Sequence, residues 1–195
     1  MAPIWVIMGA NFLVFVASVI NGQLIYEHLG LHPITPWIPF DPGFFDQPWT
    51  IVTSMFVHAV SLPFPWHLLG NMLMLYFFGS YLLQLVGENK FLFVYFAGGL
   101  LGNILLLALA SMNPFGVAMG ASGALYAVMG AMAVMRPRLK VYLWFMIPVD
   151  LWIVVVLGML IIFPNVAWQA HLGGLALGLA AGYFFRKRER GAFRR

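Results

Sequence analysis

Apolar residues in this 195-residue chain come in long blocks rather than in alternation. Six blocks read as membrane-crossing helices: residues 3–25, 67–86, 90–110, 120–135, 149–163 and 166–185. A crossing takes about 20 helical residues, so the fourth and fifth are short. The first block, MAPIWVIMGANFLVFVASVI, has no basic region before it and is expected to be a retained helix rather than a cleaved signal. The stretch 21–66 breaks the pattern. It holds seven of the twelve prolines together with Trp37, Phe40, Phe44, Phe45, Trp49, Phe56 and Trp66. Prolines there rule out an uninterrupted helix, and the aromatic residues suit the outer membrane interface. Residues 136–152 are expected to run along the inner interface, with Asp150 at the boundary. A fifth crossing that began near Val141 would instead bury Asp150 and require a partner for it.

Composition names the solvent. Hydrophobic residues make up 63% of the chain and charged residues 8%, against about 25% charged in a soluble domain. There is no cysteine, which excludes disulfides, thiolate catalysis and cysteine-zinc sites. The net charge of +4 does not point to nucleic acid, because six of the ten Lys and Arg follow Phe185 in RKRERGAFRR. The others are Lys90, Arg136, Arg138 and Lys140, while 21–66, 111–119 and 163–170 have none. In a six-span arrangement every cation then lies on one side, which five or seven spans would not allow. By the positive-inside rule that side is the cytoplasm, so both termini are expected there, in a plasma (inner) membrane. The expected fold is an all-α polytopic membrane protein. It is a six-helix bundle in one membrane-embedded domain, 1–195, with a long interfacial first loop and a basic tail, 186–195.

The polar residues within the blocks gather at one depth. His67 opens the second block, with Asn71 one turn later. Ser122 stands near the start of the fourth, and His171 about five residues into the sixth. All four fall in the outer part of the bilayer. At 3.6 residues per turn, His171, Gly174, Gly178 and Gly182 share a stripe, as do Ser122, Tyr126, Gly130 and Ala133. Met129 interrupts the second stripe. A contact between the two stripes would set the imidazole beside the hydroxyl, since small residues let helix backbones approach in lipid. Gly98 and Gly102 offer the same spacing on the third block. Serine needs an adjacent base to act as a nucleophile, and acyl transfer needs donors for an oxyanion. His171 can be the base, while His67, Asn71 and the Ser122 N–H can be the donors. Gly120 and Gly123 leave room for a substrate backbone. No carboxylate is positioned to orient His171, so the arrangement is a dyad.

GASG at 120–123, HLLGN at 67–71 and AHLGGLALG at 170–178 resemble, in this order and on these spans, the rhomboid intramembrane serine proteases. The resemblance covers nearly the whole chain. It implies a six-helix rhomboid-like core that cleaves transmembrane protein substrates, with Ser122 as nucleophile and His171 as general base. It implies His67 and Asn71 as oxyanion donors and Tyr126 as the ring stacked on His171. The family's first loop often carries Trp-Arg, where this chain has Trp49-Thr50. No cofactor and no calcium-binding motif are implied.

Plainer readings accompany each residue. Ser122 can be a helix cap or a packing residue, and His171 a satisfied interior histidine. His67 and Asn71 can be interface residues at a helix start. His58 with His67 makes a poor zinc site without a nearby carboxylate, and His58 is expected to hydrogen-bond within the loop. His28 and His32 are expected to be solvated. The partners are the lipid bilayer and transmembrane proteins. A catalytically silent rhomboid-like binder or chaperone of membrane clients is the alternative function. A small transporter is a weaker one, because the polar groups stop in the outer half. Oligomeric state is not legible.

Overall fold

The computed structural model describes residues 1–33, 43–110, 116–143, 146–161 and 167–192. The expectations for Trp37, Phe40 and the first residue of the sixth block lie outside these.

Helix α1 runs Ala2–Ile20, with Pro3 in its first turn, where no N–H is needed. The expected helix 3–25 is two helices. Asn21 leaves the helical region (φ −147°, ψ 80°), and its side-chain oxygen accepts from the Leu24 N–H at 3.1 Å, capping α2, Gly22–Leu29. The Asn21-Gly22 dipeptide carried that signal. The described part of the segment that follows, from residue 43, is folded rather than loose. It contains α3 (Gly43–Asp46), α4 (Thr50–Thr53) and a 3₁₀ turn (Ser54–Phe56). Trp49 Nε1 donates to the His28 carbonyl and Thr53 Oγ1 to the Leu29 carbonyl, both at 2.9 Å. These side chains satisfy carbonyls that the end of α2 leaves open. Thr50 is fully buried and donates to the Gln47 carbonyl. His28 is exposed, as expected, whereas His32 is half-buried with its ring on the Tyr26 carbonyl.

Helix α5 (Trp66–Met74) continues through a π-helical turn (Leu75–Gly79) into α6 (Ser80–Val86). Gly87, at φ +83°, reverses the chain into α7, Glu88–Ala108. Then come α8 (Ser122–Met135), a two-stranded antiparallel hairpin of β1 (Lys140–Leu143) and β2 (Ile147–Asp150), α9 (Leu151–Ile161) and α10 (Trp168–Ala192). Lys140 pairs opposite Asp150, and the two form a 2.7 Å ion pair. Among the described residues, three helices are long and apolar enough to cross a membrane: Ala2–Ile20, Trp66–Val86 and Glu88–Ala108. Helix α8 is apolar but shorter. Eleven of its fourteen residues are buried, so its surroundings are protein rather than lipid.

Helices α7 and α10 close around α8 through glycines. A side chain at Gly174 would strike the Gly123 carbonyl, one at Gly178 the Ala127 carbonyl, and one at Gly182 the Ala131 backbone. Gly98 lies against Ala127, and Gly102 and Gly173 bring α7 and α10 together. The α8 side of the seam is therefore Gly123, Ala127 and Ala131, joined by Gly130, whose side-chain space is taken by Leu175 and the Leu179 backbone of α10. The line through Gly123, Ala127 and Ala131 is one residue, about 100°, from the expected stripe of Ser122, Tyr126, Gly130 and Ala133, of which Gly130 does meet α10. The rotation takes Met129 off the contact line and leaves Ser122 and Tyr126 at its edge, free to meet His171. Helix α10 also runs past the expected end at 185, and Arg186 Nη1 donates to the Val134 carbonyl of α8 at 3.1 Å.

Candidate active site

Ser122 is the first residue of α8, and the N-cap position before it belongs to Ala121, so the serine is not the helix cap. It meets His171 instead: Oγ and Nε2 are 2.7 Å apart. The glycine seam produces this contact. Gly123 follows Ser122, and Gly174 lies one turn after His171, so backbone apposition at 123 and 174 brings the preceding side chains together. His171 is buried, 5% exposed. Its ring stacks on Tyr126, centroids 4.5 Å apart and planes 23° from parallel. The Tyr126 hydroxyl rests where a side chain at Gly158 of α9 would stand, 2.8 Å from that Cβ position. The imidazole is thus held by ring packing, and the packing continues into α9.

His67 supplies the facing group. The Ala59 N–H donates to its Nδ1 at 3.2 Å. A backbone N–H can only donate, so Nδ1 is an acceptor and the ring proton of neutral His67 sits on Nε2. That nitrogen is 2.8 Å from the Cβ position of Gly120, which itself lies 3.8 Å from Ser122 Oγ. Gly120 has φ +124°, a conformation that resists any side chain, and a side chain would also fill the space before His67. Asn71 is buried on the same helix. Its Nδ2 donates to the His67 carbonyl at 2.7 Å, and its Oδ1 has no partner among the described residues. One amide hydrogen is engaged there, leaving the second uncommitted.

A cavity of about 370 Å³ opens beside these groups. Ser122, His171, His67, Gly120 and Gly123 line it, whereas Asn71 and Tyr126 are not among its lining residues. Two polar lining residues escape the sequence reasoning: Ser54 and Asn103. Asn103 follows directly on the Gly98–Gly102 spacing. A lone Asn on an apolar helix was the available signal. His58 is buried, with Nδ1 3.3 Å from the Phe56 carbonyl and its ring 4.9 Å from that of His67. Burial first, and then the neighbouring His67 charge, push its pKa down to about 3. Among the described residues no three His, Asp or Glu are grouped to hold a metal.

Residues 46–188 match the Rhomboid domain. The chain is 30% identical over 149 residues to Rhomboid protein 1, mitochondrial, of Saccharomyces cerevisiae, covering 71% of this chain and 42% of that protein. It is 32% identical over 163 residues to RHOMBOID-like protein 12, mitochondrial, of Arabidopsis thaliana, covering 71% and 46%. It is 31% identical over 154 residues to Rhomboid-like protease 3 of Toxoplasma gondii, covering 76% and 56%. The chain spans about half the length of these relatives. The expected plasma-membrane location is corrected by them, since the yeast and Arabidopsis relatives are named as mitochondrial. The positive-inside rule orients a chain across the membrane it enters and does not say which membrane that is.

Proposed function

The chain belongs to the rhomboid family, and on that premise we propose that it is an intramembrane serine endopeptidase acting on transmembrane segments of membrane proteins. One observation carries the reading: the 2.7 Å contact between Ser122 Oγ and His171 Nε2 on separate helices. In the resting dyad the serine hydroxyl donates to Nε2, so the His171 ring proton sits on Nδ1. As Oγ attacks the scissile carbonyl, its proton passes to Nε2. The carbonyl oxygen becomes an oxyanion facing the His67 Nε2–H and the Ser122 N–H, and Asn71, bonded to the His67 carbonyl one turn along α5, must turn its second amide hydrogen toward the cavity to join them. Collapse breaks the C–N bond, and His171 protonates the leaving amine. The acyl group stays on Ser122 until water attacks, with His171 now taking the water proton. Tyr126 holds the ring in line through both halves of the reaction.

Six crossings in one membrane domain, 1–195, would set this site in the half of the bilayer away from the Lys and Arg residues. Water then reaches it through the cavity, while the substrate approaches from lipid. A helical carbonyl is already bonded and shielded, so the substrate must unwind locally. Segments with small residues at the cut and helix breakers nearby suit that requirement. Helix α9, short and in contact with Tyr126, is the candidate movable element. The test is labelling of the reconstituted chain with a fluorophosphonate, together with cleavage of a transmembrane peptide. Ser122→Ala should abolish both, and His171→Ala should abolish cleavage. Cleavage retained by Ser122→Ala, or no labelling of the wild type, would overturn the assignment and leave a client-binding role in its place.

A further inference from the structure

Asn103 sits on the α7 face that meets the first loop. Its Nδ2 donates to the Ile51 carbonyl at 2.7 Å and to Ser54 Oγ at 3.0 Å. The Ile51 carbonyl can only accept, so the amide orientation is fixed and both of its hydrogens are used. One turn earlier on α7, the space of a Gly99 side chain is filled by Met55, which lets the 51–56 segment lie directly on the helix backbone. Ser54 passes the constraint on. Its carbonyl accepts from the Gly120 N–H at 2.9 Å. Gly120 in turn packs against His67 Nε2, and Ser122 stands two residues further along. Three contacts thus run from a transmembrane asparagine to the backbone between the proposed oxyanion donor and the proposed nucleophile.

A polar residue in an apolar helix often ties two crossing helices together. Asn103 does something else, because both of its bonds go to the loop. Resting on the protease reading above, we propose that Asn103 is a positioning residue for the oxyanion side of the site. It fixes the Ile51–Ser54 turn and, through the Ser54 carbonyl, the place of Gly120 relative to His67. It touches neither of the dyad side chains by hydrogen bond. Its effect is on the geometry in which the developing charge meets its donors.

The experiment uses the full chain in proteoliposomes with a transmembrane peptide substrate. It compares Asn103→Leu, Ser54→Ala, the double variant and Phe91→Leu. Phe91 is buried on the same helix near its other end and serves as a stability control. Asn103→Leu should lower kcat about ten- to a hundredfold with KM within about twofold, the pattern of lost transition-state geometry. Ser54→Ala should lower it by about tenfold, and the double variant should be no worse than Asn103→Leu, because both act along one route. Phe91→Leu should lower the melting temperature and leave kcat in place. Wild-type kcat in Asn103→Leu, a kcat loss that tracks melting temperature as in Phe91→Leu, or full additivity in the double variant would each overturn the proposal. Where Asn103→Leu does not accumulate, Ser54→Ala decides alone, and unchanged kcat overturns it. A wild type that neither labels nor cleaves removes the protease reading and this inference together. A wild type that does both, with inert variants, removes only this one.

Discussion

Gly174 of α10 lies so close to the Gly123 carbonyl of α8 that a methyl group at 174 would overlap it. The 2.7 Å contact between Ser122 and His171 depends on this approach, because each functional residue sits within one turn of the touching glycine. Gly174→Val should therefore do two things at once. Overpacking against backbone cannot be relieved by a rotamer change, so stability should fall by about 1–3 kcal/mol. The helices should also separate, and both labelling and cleavage should be lost. Gly9→Ala is the contrast: nothing lies within 4 Å of a side chain there. It should leave activity unchanged and stability equal or slightly higher, by about 0.5–1 kcal/mol. Thermal unfolding in micelles with parallel cleavage assays checks both.

Tyr126 links the imidazole to α9, through a stacked contact on one side and its hydroxyl against Gly158 on the other. Gly158→Val should push the hydroxyl, tilt the stack and lower kcat. Tyr126→Phe keeps the ring and removes the oxygen that the new side chain would meet, so it should stay close to wild-type activity. In the double variant the harm of Gly158→Val should shrink. A kcat loss identical in both backgrounds would mean that α9 does not act through Tyr126.

Helical periodicity and a shared depth are enough to set Ser122, His171 and His67 side by side, because polar groups are few in these blocks and these three fall near the same end of their helices. Their neighbours Ser54 and Asn103 were not readable. Their partnership spans 49 residues and depends on a folded loop that prolines mark only as non-helical. The line of closest approach on α8 lies one residue from the expected stripe, with Gly130 shared, because small and large residues are mixed all round a helix buried on nearly every side and leave no sharp edge by which to set rotation. The hairpin 140–150 is legible in the sequence as an interfacial segment but not as strands. Four residues a side are too few for period-two alternation to stand out. The break at Asn21 lost to the apolar residues on either side of it.

His58 makes stability sensitive to acid. Its pKa in the folded chain is about 3, below the ordinary value of 6.5, first because it is buried and second because of the His67 charge. The unfolded chain takes up a proton near 6.5 while the folded chain does not. Between these values unfolding binds a proton, so stability rises with pH across that window. The contribution is fully present above about 6.5 and drains away as pH falls toward 3, by at most about 1.4 kcal/mol per unit. His58→Gln, which cannot titrate, should show a shallower fall in melting temperature between pH 7 and pH 5. Equal slopes would mean that the imidazole is already protonated in the folded chain.

The Lys140–Asp150 pair tests where the bilayer begins. The two side chains are 49% and 27% exposed and 2.7 Å apart at the open end of the hairpin. Exposed pairs of this kind contribute about 0–1 kcal/mol and weaken with salt. Asp150→Asn should therefore lower stability by less than about 1 kcal/mol, and the loss should shrink in 0.5 M salt. If the fifth crossing began near Val141, the same substitution would behave differently. Breaking a pair held in hydrocarbon leaves an unpaired ammonium and costs about 3–5 kcal/mol, with little response to salt. Melting curves of the two proteins at low and high ionic strength separate these outcomes. A small, salt-sensitive loss would keep the hairpin at the interface, with α9 entering the membrane at Leu151.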